Sequence, residues 1–192
     1  MAQRGFKAEA KRRALEVRAE LGVDPHDVLD VMALADLYGV PIVPLKDLRD
    51  SDCPHESLDY FLTDGATSFS AAAVPIDNGV LVIVNDAHAA VRVKSSLAHE
   101  LAHWILEHSF PVSLCVDGAC RVFDASTEEQ ANLLAGELLI PTDAAHRLAA
   151  LQRSDSQVAE FHGVSVRFAK MRMNQSGARM RAERARARRR SP

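Results

Sequence analysis

The sequence predicts an α+β domain in which helices at both ends of the chain frame a small, mainly antiparallel sheet. Three observations support this class. Apolar residues repeat at helical spacing near both ends, for example in residues 6–21 and 126–140. Short runs rich in β-branched and aromatic residues fill the middle of the chain, and turn-forming Asp-Gly and Asn-Gly pairs separate them. A length of 192 residues corresponds to one domain with short extensions.

Two helices are predicted at the N-terminal end. The first covers residues 6–21, whose apolar side chains fall near one face, and it stops at Gly22. The second begins at Pro25 with Asp24 as its N-cap, because proline fits the first turn of a helix and aspartate accepts hydrogen bonds from the free backbone N–H groups there. This second helix ends at Gly39.

Four short strands are predicted in the middle of the chain, over residues 40–43, 58–62, 69–74 and 80–84. Asp64-Gly65 and Asp77-Asn78-Gly79 provide turns between the last three of these runs. Because tight turns join antiparallel neighbours, the sheet is expected to be mainly antiparallel. The polar residues 46–57 are expected to form a loop.

Helices are predicted for most of the remaining chain. A long helix, capped by Asn85 or Asp86, continues to about residue 107. After a predicted hairpin at residues 115–120, a second helix covers residues 126–140 and has carboxylates in its first turn, where they interact favourably with the helix dipole. Two further helical stretches flank Gly163.

The charge of the chain is unevenly distributed. The net charge is −3, but residues 177–192 hold seven arginines and one glutamate (net +6), which leaves −9 for residues 1–176. This acidic body argues against a broad nucleic-acid surface. Because the tail has almost no apolar residues, we expect one domain over residues 1–176 and a disordered Arg-rich arm over residues 177–192. The alternative for the arm is binding to nucleic acid, a partner expected for no other part of the chain.

Composition and cysteine usage indicate a cytoplasmic protein. No apolar run reaches the roughly 18–20 residues that span a bilayer, and no apolar segment of a secretory signal follows the charged N-terminus. The three cysteines, Cys53, Cys115 and Cys120, are too few for a disulfide framework. Reducing conditions favour free thiols, and a bridge between Cys115 and Cys120 is the alternative. No membrane partner is expected.

One predicted helix carries the residue types and the spacing of a metal site. His99 and His103 are four residues apart, so their imidazoles lie on one face and can bind one metal ion. Glu100 is directed aside, close enough to take a proton from a water molecule that the metal activates. The alternative is a solvent-exposed face that merely carries these three residues. The apolar character of the helix argues against it, because unpaired histidines are poorly placed there.

A catalytic zinc site also needs a third protein ligand. Glu128 and Asn132 have the same i, i+4 spacing in the helix over residues 126–140, so the carboxylate can bind the metal while the amide hydrogen-bonds a ligand histidine. Glu129 points about 100° away, toward solvent. The alternative is that both glutamates only satisfy the N–H groups at the helix N-terminus.

The strings SSLAHELAHWILEH and EEQANLLAGELLIP together resemble the ImmA/IrrE family of zinc metallopeptidases. The zinc ligands that this resemblance implies are His99, His103 and Glu128, and the general base that it implies is Glu100. It also implies a zinc-dependent endopeptidase that cuts a specific regulatory protein, expected to be a helix-turn-helix transcriptional repressor. The alternative is a non-proteolytic zinc-binding regulator that binds a protein or nucleic acid.

The resemblance covers about residues 6–174, with departures from the usual family pattern. Ala102 replaces a common glycine, Leu134 replaces a common phenylalanine, and Gln130 replaces a frequent glutamate. Neither Leu134 nor Gln130 is expected to touch a ligand. Residues 94–96 (KSS) replace an aromatic-threonine pair, so local packing or substrate contacts are expected to differ.

Peptide hydrolysis also needs a group that stabilises the oxyanion and protonates the leaving amine. The candidates are His162, Tyr60, Arg92 and Arg172, and the sequence does not select among them. His108, just past the metal-binding helix, is predicted to act only as a favourable charge near the helix C-terminus.

Overall fold

The computed structural model describes residues 5–77, 79–108 and 125–190, and its elements confirm the α+β class. Helices α1 to α9 span Phe6–Glu20, Val31–Leu37, His55–Leu62, Ala90–Ile105, Ala125–Leu139, Thr142–Ala150, Asp155–His162, Val166–Gln175 and Ala178–Arg190. Strands β1 to β3 span Ile42–Pro44, Ala71–Ile76 and Gly79–Val84. Across the described ranges, no helix combines the length and the apolar content that a transmembrane segment needs. The hairpin expected at residues 115–120 lies outside the described residues.

The sheet is mixed, with the strand order β1-β3-β2. β2 and β3 pair antiparallel along their whole length, from Ala71 opposite Val84 to Ile76 opposite Gly79. β1 instead pairs parallel with the C-terminal half of β3, an arrangement that needs a long connection between the two strands. In the described part of the chain, β2 therefore forms an edge of the sheet, and it contacts α4.

Residues 58–62 belong to helix α3, so the strand prediction for this run was wrong. In a strand, Leu58, Tyr60 and Leu62 would share one face. The structure instead buries Leu58 (1% exposed) and leaves Tyr60 52% exposed. This pattern fits a helix that buries only one of its faces. Pro54 directly precedes α3, and proline is compatible with the start of a helix but not with the interior of a sheet.

Helix α2 starts later than the predicted Pro25, and its N-cap is Asp30 rather than Asp24. The cause is the fully buried side chain of Arg18. Its guanidinium donates hydrogen bonds to the backbone carbonyls of Asp24 (2.9 Å) and Asp27 (2.5 Å). These bonds hold the segment before α2 as a separate turn, a tertiary effect that the local sequence does not reveal.

Helix α4 begins at Ala90 rather than directly after the predicted caps, Asn85 and Asp86. Asn85 is fully buried, and its side-chain amide donates to the backbone carbonyls of Phe61 (2.7 Å) and Phe69 (3.1 Å). Asn85 therefore joins the end of α3 and the start of β2 to the end of β3. These hydrogen bonds fix the end of β3 before helix α4 begins.

Helices α4 and α5 pack against each other in the core, and α5 also packs against α1. α4 buries Leu97, Leu101 and Ile105 on one side, while α5 is buried continuously from Leu133 to Leu139. Each of these two helices carries part of the predicted metal site. Their contact therefore decides whether the site forms.

Residues 178–190 form helix α9, where the composition predicts a disordered arm. Ala178 is buried (1% exposed), and α9 contacts α6 and α8. Arg179 donates to the backbone carbonyl of Arg153 (2.6 Å) and forms an ion pair with Asp155 (2.5 Å). The low apolar content predicts a disordered arm, but polar contacts of Arg179 anchor the first turn of α9. The boundary at residue 176 and nucleic-acid binding by the exposed arginines of α9 stay predictions.

Truncation at two points is expected to separate the anchored part of α9 from its exposed part. Ending the chain after Gln175 removes the buried Ala178 and the Arg179–Asp155 pair, so we expect the free energy of unfolding to fall by about 1–3 kcal/mol. Ending it after Glu183 leaves the anchored first turn of α9 intact and removes the exposed residues 184–189 with the last three residues, so it should cost no more than about 0.5 kcal/mol. Urea unfolding measures both values. Equal stability of the two truncated chains would contradict the packing of α9.

Candidate metal centre

Helix α4 carries two neighbouring imidazoles on one of its faces. His99 and His103 lie one turn apart, and their Nε2 atoms are 3.1 Å from each other. Their ring centroids are 4.8 Å apart. His103 is fully buried, whereas His99 is partly exposed. The two rings thus share one helix face, with their Nε2 atoms directed at a common position.

Glu128 lies in the first turn of α5 and faces both histidines. Its Oε1 is 3.2 Å from Nε2 of His103, and its Oε2 is 3.3 Å from Nε2 of His99. One ligand atom from each of these three residues lies within 4.8 Å of the other two. The packing of α5 on α4 therefore brings together the three side chains that the sequence predicts as ligands.

The donor types and their spacing fit zinc. Two imidazole nitrogens and one carboxylate form a donor set of catalytic zinc sites, in which the fourth position stays open. Zinc–nitrogen bonds of about 2.0–2.1 Å in a tetrahedral arrangement separate neighbouring donors by about 3.3 Å. In this site the two imidazole nitrogens are 3.1 Å apart, and each lies 3.2–3.3 Å from a different oxygen of the Glu128 carboxylate.

The surroundings of His99 favour its neutral form. Burial lowers the pKa of His99 below its ordinary value, and this effect outweighs the opposing influence of the Glu128 carboxylate. Asn132 also hydrogen-bonds the His99 side chain, in the role that its i, i+4 spacing from Glu128 predicts. Because a neutral imidazole keeps a lone pair for a metal ion, His99 is suited to metal binding near neutral pH.

Glu100 lies beside the three donors and is not part of their group. Its Oε2 accepts a hydrogen bond from the backbone N–H of Ala73 at 3.2 Å. This bond holds the carboxylate between α4 and the edge strand β2. Glu100 also directly follows His99, and the turn of about 100° per residue in a helix directs its side chain away from the histidine. The position suits a general base rather than a ligand.

A comparison with protein families places the chain among its relatives. The family model described as the IrrE N-terminal-like domain, Peptidase_M78, matches residues 55–174, which is more than half of the chain. The chain belongs to this metallopeptidase family. The match includes α4, α5 and all three donors, and it starts further along the chain than the resemblance expected from residue 6. Comparisons with curated proteins and with solved structures found no match.

The two neighbouring glutamates of this Peptidase_M78 domain should differ sharply in their effect on metal binding. Glu128→Ala removes a donor that lies close to both histidines, so zinc affinity is expected to fall by more than about 100-fold, the upper range for residues that only support ligands. Glu129→Ala alters an exposed side chain outside the group of donors and should change zinc affinity little. Competition titration against a chelator measures both. Equal losses would show that the third ligand is wrongly assigned.

Arg172, one of the candidates for oxyanion stabilisation, has a structural role in this domain. It is 2% exposed, and its Nε donates to the backbone carbonyls of Gly136 (3.0 Å) and Ile140 (2.8 Å). Its guanidinium also pairs with the buried carboxylate of Glu137. These contacts assign Arg172 to the packing of α8 against α5.

The other three candidates lie on separate elements. Arg92, on α4, donates to Oγ of Ser70 (2.7 Å), directly before β2, while Tyr60 lies on α3 with its ring against Phe61. The choice between these two for the peptidase reaction stays a prediction. His162 is fully buried at the end of α7, which does not suit a group that must contact a substrate.

His162 should make the stability of the domain depend on pH. Burial, with smaller contributions from the charges of Arg18 and Lys94, lowers the pKa of His162 to about 4. In the unfolded chain a histidine titrates near 6.5, so between about pH 6.5 and pH 4 the unfolded state binds one more proton. The free energy of unfolding should therefore be fully retained above pH 6.5 and fall by up to about 3 kcal/mol as the pH decreases to 4.

The measurement compares urea unfolding of the metal-free protein and its His162→Leu variant from pH 7 to pH 4. The variant is expected to lose less stability than the wild type on acidification. His55→Leu, which removes an exposed histidine, is the matched control and should keep the wild-type dependence. Parallel curves for wild type and His162→Leu would contradict the role of His162.

Two residues near the metal centre were not predicted to belong to it. Nδ1 of His108 is 2.9 Å from Nδ1 of His103, and Nε2 of His108 is 3.2 Å from Oε1 of Gln130. His108 therefore does more than provide a charge at a helix end, and it connects Gln130 to the predicted ligand His103. The signal in the sequence is a histidine five positions after His103, but the contact depends on the backbone conformation of Glu107.

Proposed function

We propose that this domain is a zinc-dependent endopeptidase. The observation that carries the proposal is the convergence of His99, His103 and Glu128, with Glu100 held beside them at the edge of the sheet. When bound by these three residues, zinc supplies a Lewis acid that lowers the pKa of a water molecule toward about 7. The protein supplies the positions of the donors, the general base and the surface that presents the peptide.

Glu100 acts as the general base. The Ala73 N–H fixes one of its oxygens, so the carboxylate stays at the rim of the metal-binding group. There it takes a proton from the attacking water, and it can then deliver this proton to the nitrogen of the leaving amine. Asn132 supports the reaction indirectly, because its hydrogen bond to His99 orients one ligand ring.

The edge strand β2 is the proposed binding surface for the peptide. One side of β2 is paired with β3. The backbone N–H of Ala73, in β2, donates to the Glu100 carboxylate on α4. An extended peptide can add to such an edge through backbone hydrogen bonds and bring its scissile carbonyl to the metal. Flexible linkers and loops are the parts of folded proteins that offer an extended backbone, so cleavage is expected there.

The proposed substrate is a helix-turn-helix transcriptional repressor, cut in a flexible linker or loop. This proposal rests on the resemblance to the ImmA/IrrE family, and a repressor substrate implies action in the cytoplasm. Narrow specificity is expected, so casein should be cleaved slowly.

The test incubates the zinc-loaded chain with a helix-turn-helix repressor encoded beside its gene and, separately, with casein. Glu100→Gln serves as the inactive control. Cleavage of the repressor by the wild type alone would support the proposal. Rapid loss of casein with an intact repressor would reject the repressor as substrate. Zinc binding without any cleavage would favour the non-proteolytic regulator.

A further inference from the structure

The end of helix α4 folds back onto its own metal-binding turn. Glu107 adopts a left-handed backbone conformation (φ 54°), which is uncommon for a residue other than glycine. The N–H of Glu107 donates to the carbonyl of Trp104 (2.9 Å), and the N–H of His108 donates to the carbonyl of His103 (3.0 Å). This pair of hydrogen bonds closes the helix in the manner of a Schellman motif. As a result, the ring of His108 lies against that of His103, with their centroids 5.0 Å apart.

Only one arrangement of the His108 hydrogen bonds leaves a lone pair on Nε2 of His103 for a metal ion. Oε1 of Gln130 can only accept, so Nε2 of His108 carries the proton that it donates. In the His108 tautomer that carries its proton on Nε2, Nδ1 is the acceptor, and Nδ1–H of His103 donates to it across 2.9 Å. Nε2 of His103 is thereby left with its lone pair, and this is the atom that faces Glu128.

We propose that His108 is a positioning residue of the metal centre. It fixes the tautomer and the ring orientation of His103, and through Gln130 it links this ligand to α5, the helix that carries Glu128. Because His108 contacts the His103 nitrogen remote from Glu128, it is not itself a ligand. The inference rests on the metal site of the proposed function, but it concerns metal binding rather than peptide hydrolysis.

The test compares two substitutions of similar shape in the full-length chain. His108→Asn keeps an acceptor, because its Oδ1 occupies a position equivalent to Nδ1, whereas His108→Leu has none. Zinc affinity, measured by competition with a chromophoric chelator, is expected to fall by about 10- to 100-fold in His108→Leu. His108→Asn should retain most of it. His55→Leu controls for the loss of an exposed histidine and should bind zinc as the wild type does.

Two further readouts separate positioning from a general loss of structure. The melting temperature of the metal-free protein should be similar for His108→Asn and His108→Leu. In the zinc-loaded protein, the Nδ1–H proton of His103 should be visible by NMR in wild type and His108→Asn, and should be lost to exchange in His108→Leu.

Wild-type zinc affinity in His108→Leu would overturn the inference, and so would equal losses in both variants. A wild-type chain that takes up no zinc would overturn the inference together with the proposed function. A chain that binds zinc and shows the Asn–Leu difference, yet cleaves nothing, would support the inference while the proposed peptidase activity fails.

Discussion

Glu100→Gln is expected to reduce peptide hydrolysis by about 10²–10⁴-fold, the range for loss of a general base, while zinc content stays at the wild-type level. The amide retains an oxygen that can accept the N–H of Ala73, so the local structure should persist. It cannot take a proton from water at neutral pH, and the three donors His99, His103 and Glu128 are untouched.

The measurement combines cleavage rates of a peptide substrate with metal analysis of the same purified samples. Glu160→Gln removes a comparable charge from the exposed surface of α7 and should leave both quantities unchanged. Hydrolysis by Glu100→Gln within a few fold of wild type would contradict the role of Glu100. Loss of zinc from this variant would indicate that Glu100 is a ligand instead.

Removing either partner of the buried Arg172–Glu137 pair should destabilise the domain by about 3–5 kcal/mol, because the remaining charge is left without its partner in the interior. Arg172 is 2% exposed and Glu137 is 6% exposed. The carboxylate of Glu137 also accepts the N–H (2.8 Å) and the hydroxyl (2.6 Å) of Thr142 at the start of α6. Gly136 leaves room for Arg172, since a Cβ there would lie 3.2 Å from its Cδ.

Urea unfolding of Arg172→Met, Glu137→Met and the double variant measures this contribution. The double variant should be less destabilised than either single variant, since it leaves no unpaired buried charge. Arg49→Ala breaks an exposed ion pair with Asp59 and should cost no more than about 1 kcal/mol. A small effect of both single substitutions would contradict the structural role of Arg172.

The sequence predicts which residues of each helix share a face, because helical spacing is a local property. His99 and His103 share a face for the same reason that any i, i+4 pair does, and Glu128 lies in the first turn of its own helix. The sequence does not specify how α5 packs on α4. Only the structure shows that this packing brings the Glu128 carboxylate within 3.3 Å of both histidines.

Two of the incorrect predictions, the starts of α2 and α4, share a physical cause, which is that distant contacts override local preference. Asp24 and Pro25 are residue types that often start a helix. Arg18, however, donates a hydrogen bond to the backbone carbonyl of Asp24, and α2 begins later. Asn85 is a residue type that often caps helices, but here its buried amide hydrogen-bonds the end of α3 and the segment before β2. His108 could not be assigned to the metal centre, because its contact depends on a left-handed turn at a glutamate.

The most direct test of the metal centre is anomalous X-ray diffraction, recorded at the zinc absorption edge, from crystals of the zinc-loaded chain. The structure predicts one strong peak bonded to Nε2 of His99, Nε2 of His103 and the carboxylate of Glu128, with Glu100 nearby but outside bonding distance. A peak at any other position, or a peak bound by Glu100 in place of Glu128, would contradict it.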